Sequence, residues 1–295
     1  MRVTFRSLHQ GVEYVSQAAT DLARARQQVE SGRRLHAPSD DPAAMLRAVE
    51  GRAEIGGLDS YNRTADTVTA RLALFDSVMT TMIDRLTAAT VAATAARGTT
   101  ATAEARDALA VQLEGLRDDL VGDVNTAFRG VYLFSGSQVD TAAYAQVGGA
   151  WTYQGNATAV AADLGQGRRA DITVNGQAIV QGSDATDLFT ELDALIAAVR
   201  AGDNAAIGVG IDALNRAFTR ATRAQSAVGA DQQGIAGRQL QITASRLAAV
   251  TRVSKDEDAD LVHAISALTR AQTAYQAALG AVATTSQQSL MDYLR

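Results

Sequence analysis

The chain has 295 residues, a formal net charge of -5, no cysteine, and 47% hydrophobic but only 5% aromatic residues. The acidic balance, without a clustered basic face, argues against nucleic-acid binding. The lack of cysteine excludes disulfides, thiolate nucleophiles and cysteine metal sites. Alanine carries much of the apolar content, which favours long helices packed closely through small side chains, and the length allows about two domains.

The first helix is predicted from about Phe5 to Glu30. Leu8, Val12, Val15, Ala19, Leu22 and Val29 follow an alternating four-three spacing broken only at Arg26, the pattern of a coiled-coil seam. The first fifteen residues lack an apolar signal core, and no run reaches the length of a membrane span. Secretion would therefore proceed without a cleaved signal, and no membrane insertion is expected. Arg24, Arg26, Arg33 and Arg34 read as a solvated basic face. The helix should end near Ser31-Gly32, glycine being suited to a C-terminal cap.

The segment SGRRLHAPSDDPAA, residues 31–44, holds the only two prolines. Its core is Pro38, Ser39, Asp40, Asp41 and Pro42. Pro38 pushes Ala37 toward an extended conformation, while Asp41 can cap a new helix whose first position is Pro42. A shaped connector is the expectation.

The second helix carries Leu58, Tyr61, Ala65, Val68, Leu72, Phe75, Met79, Met82 and Leu86 on strict four-three spacing, with Gly56-Gly57 a possible bend or interruption. ARGTTATAEA, residues 96–105, reads as a reversal. Leu109, Leu113, Leu116, Leu120 and Val124 mark a third helix that gives out near Arg129-Gly130. From residue 131 to about 182 short β-type runs alternate with turns, and Asn175-Gly176 between ITV and QAIV predicts a hairpin. Helical spacing returns at Leu188, Leu192, Leu195 and Val199, stops at Gly202, and resumes from Asp203 to near Val228. Residues 230–253 then lead into the last helix.

That last helix repeats the seam of the first. Leu261, Ile265, Leu268, Tyr275, Leu279 and Val282 keep four-three spacing, interrupted at Gln272 and continued by Leu290 and Leu294. Ser254 and Glu257 have capping-box spacing for its start. At 1.5 Å per residue it would be about 50 Å long, so its partner must be another long helix. Each terminal stripe is narrow, and a two-helix coil is only marginally stable alone. The two terminal helices are therefore expected to pair and to present an assembly interface to neighbouring copies.

The predicted fold is mainly α: an elongated antiparallel helical bundle with terminal coiled-coil helices and a small β-rich insertion. Residues 1–40 and 255–295 form the terminal polymerisation helices, 41–130 and 187–254 the bundle, and 131–186 an outward insertion.

No site for chemistry emerges. His9, His36 and His263 lack partners at metal-ligand spacing, so no metal is assigned. GQGRRA at 165–170 and GVGIDA at 208–213 match G-x-G-x-x-A without the strand-turn-helix context that gives the pattern meaning. Asp118-Asp119 and Glu191/Asp193 read as acids on exposed helical faces rather than a glycosidase pair. No nucleophile elbow, P-loop or H-E-x-x-H occurs. Neither an enzyme nor a cofactor is expected.

The connector, the run DADLVHAISALTRAQTAYQAALGAVA (258–283) and the terminal SLMDYLR resemble the two ends of the flagellin superfamily. Within it, PSDDPAA at 38–44, GVYLFSGS at 130–137 and SLMDYL most resemble the hook-filament junction family, also called the third hook-associated proteins. The resemblance covers residues 1–137 and 210–295. It implies a structural adaptor exported through the flagellar type III channel to the hook tip. There it would form a ring through its terminal helices, seed flagellin polymerisation and turn its middle segment outward. Implied partners are a sister junction protein on the hook side, flagellin on the filament side, copies of itself and a cytoplasmic export chaperone. A flagellin filament subunit, a flagellum-associated wall-remodelling enzyme and a cytosolic coiled-coil module remain as alternatives.

Overall fold

The computed structural model describes residues 2–98, 101–165 and 167–293, with side chains described from residue 9 to residue 284 of these. The elements are α1 (Arg2–Ser31), α2 (Pro42–Ala96), α3 (Ala103–Val124), β1 (Ala127–Phe128), β2 (Val131–Tyr132), β3 (Tyr144–Val147), β4 (Ala150–Tyr153), β5 (Ala161–Asp163), β6 (Arg169–Asp171), α4 (Gly176–Val180), α5 (Leu188–Ala201), α6 (Asn204–Glu257) and α7 (Leu261–Tyr293). The chain is mainly α, with long helices and, among the described residues, three antiparallel two-stranded pairs, β1-β2, β3-β4 and β5-β6. Among the described residues no helix is long and apolar enough to cross a membrane.

Two compact units are present. One takes residues 1–57 with 245–295, the other residues 58–244, and α2 and α6 contribute residues to both. Gly56-Gly57 does not interrupt α2, which runs for 55 residues. Similarly, α6 is one helix of 54 residues, passing Gly229, Gly234 and Gly237.

The core of the 58–244 unit uses the predicted stripe of α2. Leu72, Phe75, Met79, Met82 and Leu86 are buried with Leu113, Leu120 and Val124 of α3 and Leu192, Leu195 and Val199 of α5. Small residues let the helices approach closely. Ala89, Ala93 and Ala110 are fully buried, and a Cβ on Gly210 of α6 would stand 2.7 Å from Leu195 Cδ1. That contact explains the second glycine of GVGIDA as packing. Asp187 caps α5 by accepting from the amides of Phe189 and Thr190, and Gly202 ends it at φ +69°.

The scarce aromatics are concentrated around the insertion. Phe75 stacks on Phe134 at 4.9 Å between centroids, Tyr144 meets Phe189 edge-on at 5.1 Å, and Trp151 lies 5.5 Å from Phe189. Composition alone pointed away from a dense aromatic core, yet these few rings make a local one because the short hairpins have no helical face to bury.

One local expectation is corrected. Asn175-Gly176 does not turn a hairpin but starts α4, the Asn175 side chain accepting from the Gln177 amide at 3.0 Å. Two contacts decide it. The Gly176 amide donates to the Phe134 carbonyl at 2.8 Å, and the helical turn carries Ile179 and Val180 into the core.

Candidate assembly interface

The unit of residues 1–57 and 245–295 is built on α1 and α7 running antiparallel. Their buried and half-buried positions recur as Gly11, Val15, Ala18, Leu22, Ala25 and Val29 on α1, and as Ala264, Leu268, Ala271, Tyr275, Ala278 and Val282 on α7. Both series keep four-three spacing without a break. Alanines carry the seam through the places where the larger side chains fail: Ala25 does so beside Arg26, and Ala271 beside Gln272. A Cβ on Gly11 would meet Val282 Cγ2 at 3.0 Å, the distance of a tight backbone approach.

The residues singled out in the sequence divide accordingly. Val15, Leu22, Leu268, Tyr275 and Val282 are covered or half-covered within the pair. Val12 (55% exposed), Ile265 (53%) and Leu279 (44%) lie one residue round the helix and remain open, and Leu261 (52%), in line with the seam at the start of α7, is open as well. Leu8 belongs to the residues whose side chains lie outside those described, as does Leu290, and Leu294 lies outside the described residues altogether. α7 thus carries open apolar residues, Ile265 and Leu279, beside its closed seam, whereas on α1 the row of Val12 continues through half-buried Ala19 and charged Arg26. Beside them runs an apolar groove of about 680 Å³, whose lining includes Gly11, Ala18, Ala274, Ala277, Ala281 and Val282.

The connector fastens this pair. Gly32, at φ +67°, ends α1 with its amide on the Gln28 carbonyl. The chain then pairs with the turn after α6: the Arg34 amide donates to the Glu257 carbonyl at 2.6 Å and the Ala259 amide to the Gly32 carbonyl at 2.9 Å. Leu35 is buried as an anchor. Asp40 accepts from the amides of His36 and Ala37, both at 2.9 Å, across Pro38 and Ser39. Asp41 accepts from the Ala44 amide at 3.0 Å, and Pro42 opens α2. Arg47 makes a forked contact with Asp256, its shortest distance 2.7 Å.

The start of α7 differs from expectation. Ser254 and Glu257 are not its capping box but the last turn of α6. Asp260 caps α7, accepting from the amides of Val262 and His263 at 2.9 and 3.2 Å. Glu257 is instead buried and paired with Arg52 of α2. Arg52 itself is half-exposed, so the pair is asymmetric. Arg52→Met strands a buried carboxylate and should cost about 1–3 kcal/mol, read as faster hydrogen exchange in the first turns of α7. Unchanged exchange would show that Glu257 has another source of support.

Amide donors from Ala37 and His36 hold the Asp40 carboxyl below its usual pKa, and the Ala44 amide does the same for Asp41. A carboxyl with a lowered folded pKa stabilises above its unfolded value, about 3.9, and loses that contribution as pH falls through the folded value. The connector should therefore be intact at neutral pH and loosen below about pH 4. The check is a pH titration of the His36, Ala37 and Ala44 amide resonances; positions flat to pH 3 would contradict it.

The posed carboxylate pairs have structural occupations. Asp118 and Asp119 contact Arg117 and Arg85, Asp193 contacts Arg117 and the Trp151 indole, and Glu191 accepts from Thr186. No cluster of three or more metal-ligating side chains occurs among the described residues.

A model of the bacterial flagellin N-terminal helical region matches residues 9–139. Flagellar hook-associated protein 3 of Escherichia coli is 27% identical over 204 residues, 65% of this chain. The chain is thus similar to flagellins in its N-terminal region and to hook-associated proteins over about two thirds of its length. The Salmonella typhimurium protein of the same name is 26% identical over 214 residues, 68% of this chain and 67% of its own length. The match spans 64% of the length of the Escherichia coli protein. In fold, the chain is similar to a candidate flagellar hook-associated protein from Vibrio parahaemolyticus. The TM-score is 0.71 at 19% identity, covering 74% of this chain and all of that one.

Proposed function

We propose that the chain is a structural adaptor at the junction of flagellar hook and filament. It assembles there as a ring through its terminal helices and seeds flagellin polymerisation. The observation that carries the reading is the set of open apolar side chains Val12, Leu261, Ile265 and Leu279 on two helices whose seam α1 and α7 already close between themselves. A helix pair satisfied along its seam and still presenting apolar side chains has a second partner to meet. Contacts made by those side chains are head-to-tail, which generates rings or helical tubes rather than closed dimers.

Copies of the chain would meet side by side, with a sister junction protein on the hook side and flagellin on the filament side. Before export, a cytoplasmic chaperone would cover the same side chains. Burying one leucine contributes about 1.5–3 kcal/mol, too little in one contact but sufficient when several neighbours surround each helix. The connector gives the pair a defined geometry, and burial against neighbours offsets the conformational freedom lost on assembly.

The test is electron microscopy of a deletion strain with an assay of flagellin in the culture fluid. Bare hooks and shed, unpolymerised flagellin are expected. Full-length filaments would overturn the reading, and merely shortened ones would point to a filament subunit.

A further inference from the structure

We propose that the cleft between the β3-β4 hairpin and the α4-α5 junction is a carbohydrate-binding site. It has a volume of about 480 Å³, within the range of small-ligand pockets, and Tyr144, Trp151, Tyr153, Gln177, Gln181 and Asp187 are among its lining residues. The inference stands independently of the junction role.

A sugar ring presents C–H groups on its faces and hydroxyls around its edge, so its site combines aromatic faces with amides or carboxylates. Trp151 and Tyr153 are two residues apart on β4 and share one face of the strand. Both rings are held through their polar atoms. The Trp151 indole donates to Asp193 at 3.1 Å, and Asp193 is itself fixed by Arg117. The Tyr153 hydroxyl contacts the carbonyls of Phe134 (2.9 Å) and Asn156 (3.1 Å). Gly155 makes room for that phenol, since a Cβ there would stand 2.5 Å from the hydroxyl. The aromatic platform is therefore set before any ligand arrives.

Polar capacity faces it. Gln177 is exposed and donates one amide hydrogen to Gln181 at 3.0 Å, leaving a second hydrogen and its carbonyl for a hydroxyl pair. Below them Tyr144 is buried, and its hydroxyl, closed off from solvent, has no hydrogen-bond partner among the described residues, so a ligand oxygen would reach it only where the cleft floor opens. Burial also pushes the Tyr144 phenol up in pKa, so it remains a donor. Asp187 is the one carboxylate in the lining and already caps α5. Glycoside cleavage uses a flanking pair of carboxyl groups, so the site binds and does not hydrolyse. The amide-rich rim also fits a hydroxylated ligand better than a proline-rich peptide.

Trp151 is the only tryptophan in the chain and reports on the cleft directly. The experiment titrates the full chain with D-galactose, D-mannose and N-acetyl-D-glucosamine, each to about 100 mM, some hundredfold above the Kd of about 1 mM suited to a shallow site. Fluorescence and saturation-transfer NMR are read together. A saturable response to at least one sugar is expected. Gln177→Ala should weaken it about tenfold with thermal unfolding unchanged. No saturable response by either method would overturn the proposal. So would an undiminished response in Gln177→Ala, or saturation by oligoproline where all three sugars fail.

Discussion

Ile265→Asp combined with Leu279→Asp should leave the isolated chain folded and give cells that carry bare hooks and shed flagellin. In the isolated chain these side chains are 53% and 44% exposed, outside the closed α1-α7 seam. Surface substitutions of that kind shift stability by about 0.5 kcal/mol or less. In the assembly the same positions would be covered. Each then forfeits about 1.5–3 kcal/mol of apolar burial, and a carboxylate taken out of water adds several kcal/mol more. The loss recurs at every subunit, so it should act as a threshold and not as a graded weakening. The contrast is Leu22→Ala, which removes a buried seam residue and should loosen the α1-α7 pair in the monomer itself. Normal filaments from the double aspartate variant, at normal protein levels, would remove these open residues from assembly.

Phe134→Ala should destabilise the 58–244 unit by about 3–5 kcal/mol, the range for emptying a large aromatic site in a core. Phe134 is fully buried and stacks on Phe75. Its backbone is pinned as well, the carbonyl accepting from the Tyr153 hydroxyl and the Gly176 amide. The surrounding chain therefore cannot collapse into the space. For a unit of this size each kcal/mol moves Tm by about 2–4 °C, so a drop of about 6–20 °C is expected in calorimetry. A shift of a degree or two would mean that the insertion repacks freely around the vacancy. Phe134 belongs to the YLF run that likens the chain to junction proteins, so the resemblance rests partly on a core residue.

The helices were legible because their apolar spacing is long and regular. The α2 stripe from Val68 to Leu86 is buried as its heptads predict, and Asp41, Pro42, Gly32 and Gly202 stand at the helix ends where their backbone chemistry suits them. The capping box at Ser254 was misplaced because Ser254 and Asp260 are both N-cap residue types ahead of the apolar run. Only the buried contact of Glu257 with Arg52 separates them. The aromatic cleft carried no sequence signal, since Trp151 and Tyr153 on β4 meet Gln177 and Asp187 only through the folding of the insertion.

The sequence by itself determined that this protein is mainly α, that its first and last helices are apolar along one side, that a β-containing insertion lies between helical halves, and that its ends look like those of flagellins. These are local properties, written in spacing, caps and composition. Which residues close the α1-α7 pair was decided only in three dimensions. Hydrophobic pattern weights Ile265 and Leu279 over Ala264 and Ala278, whereas close helix approach selects those alanines, with Ala271 between them. Small side chains let two backbones come near enough for extensive dispersion contact, and the larger residues beside them are left facing outward.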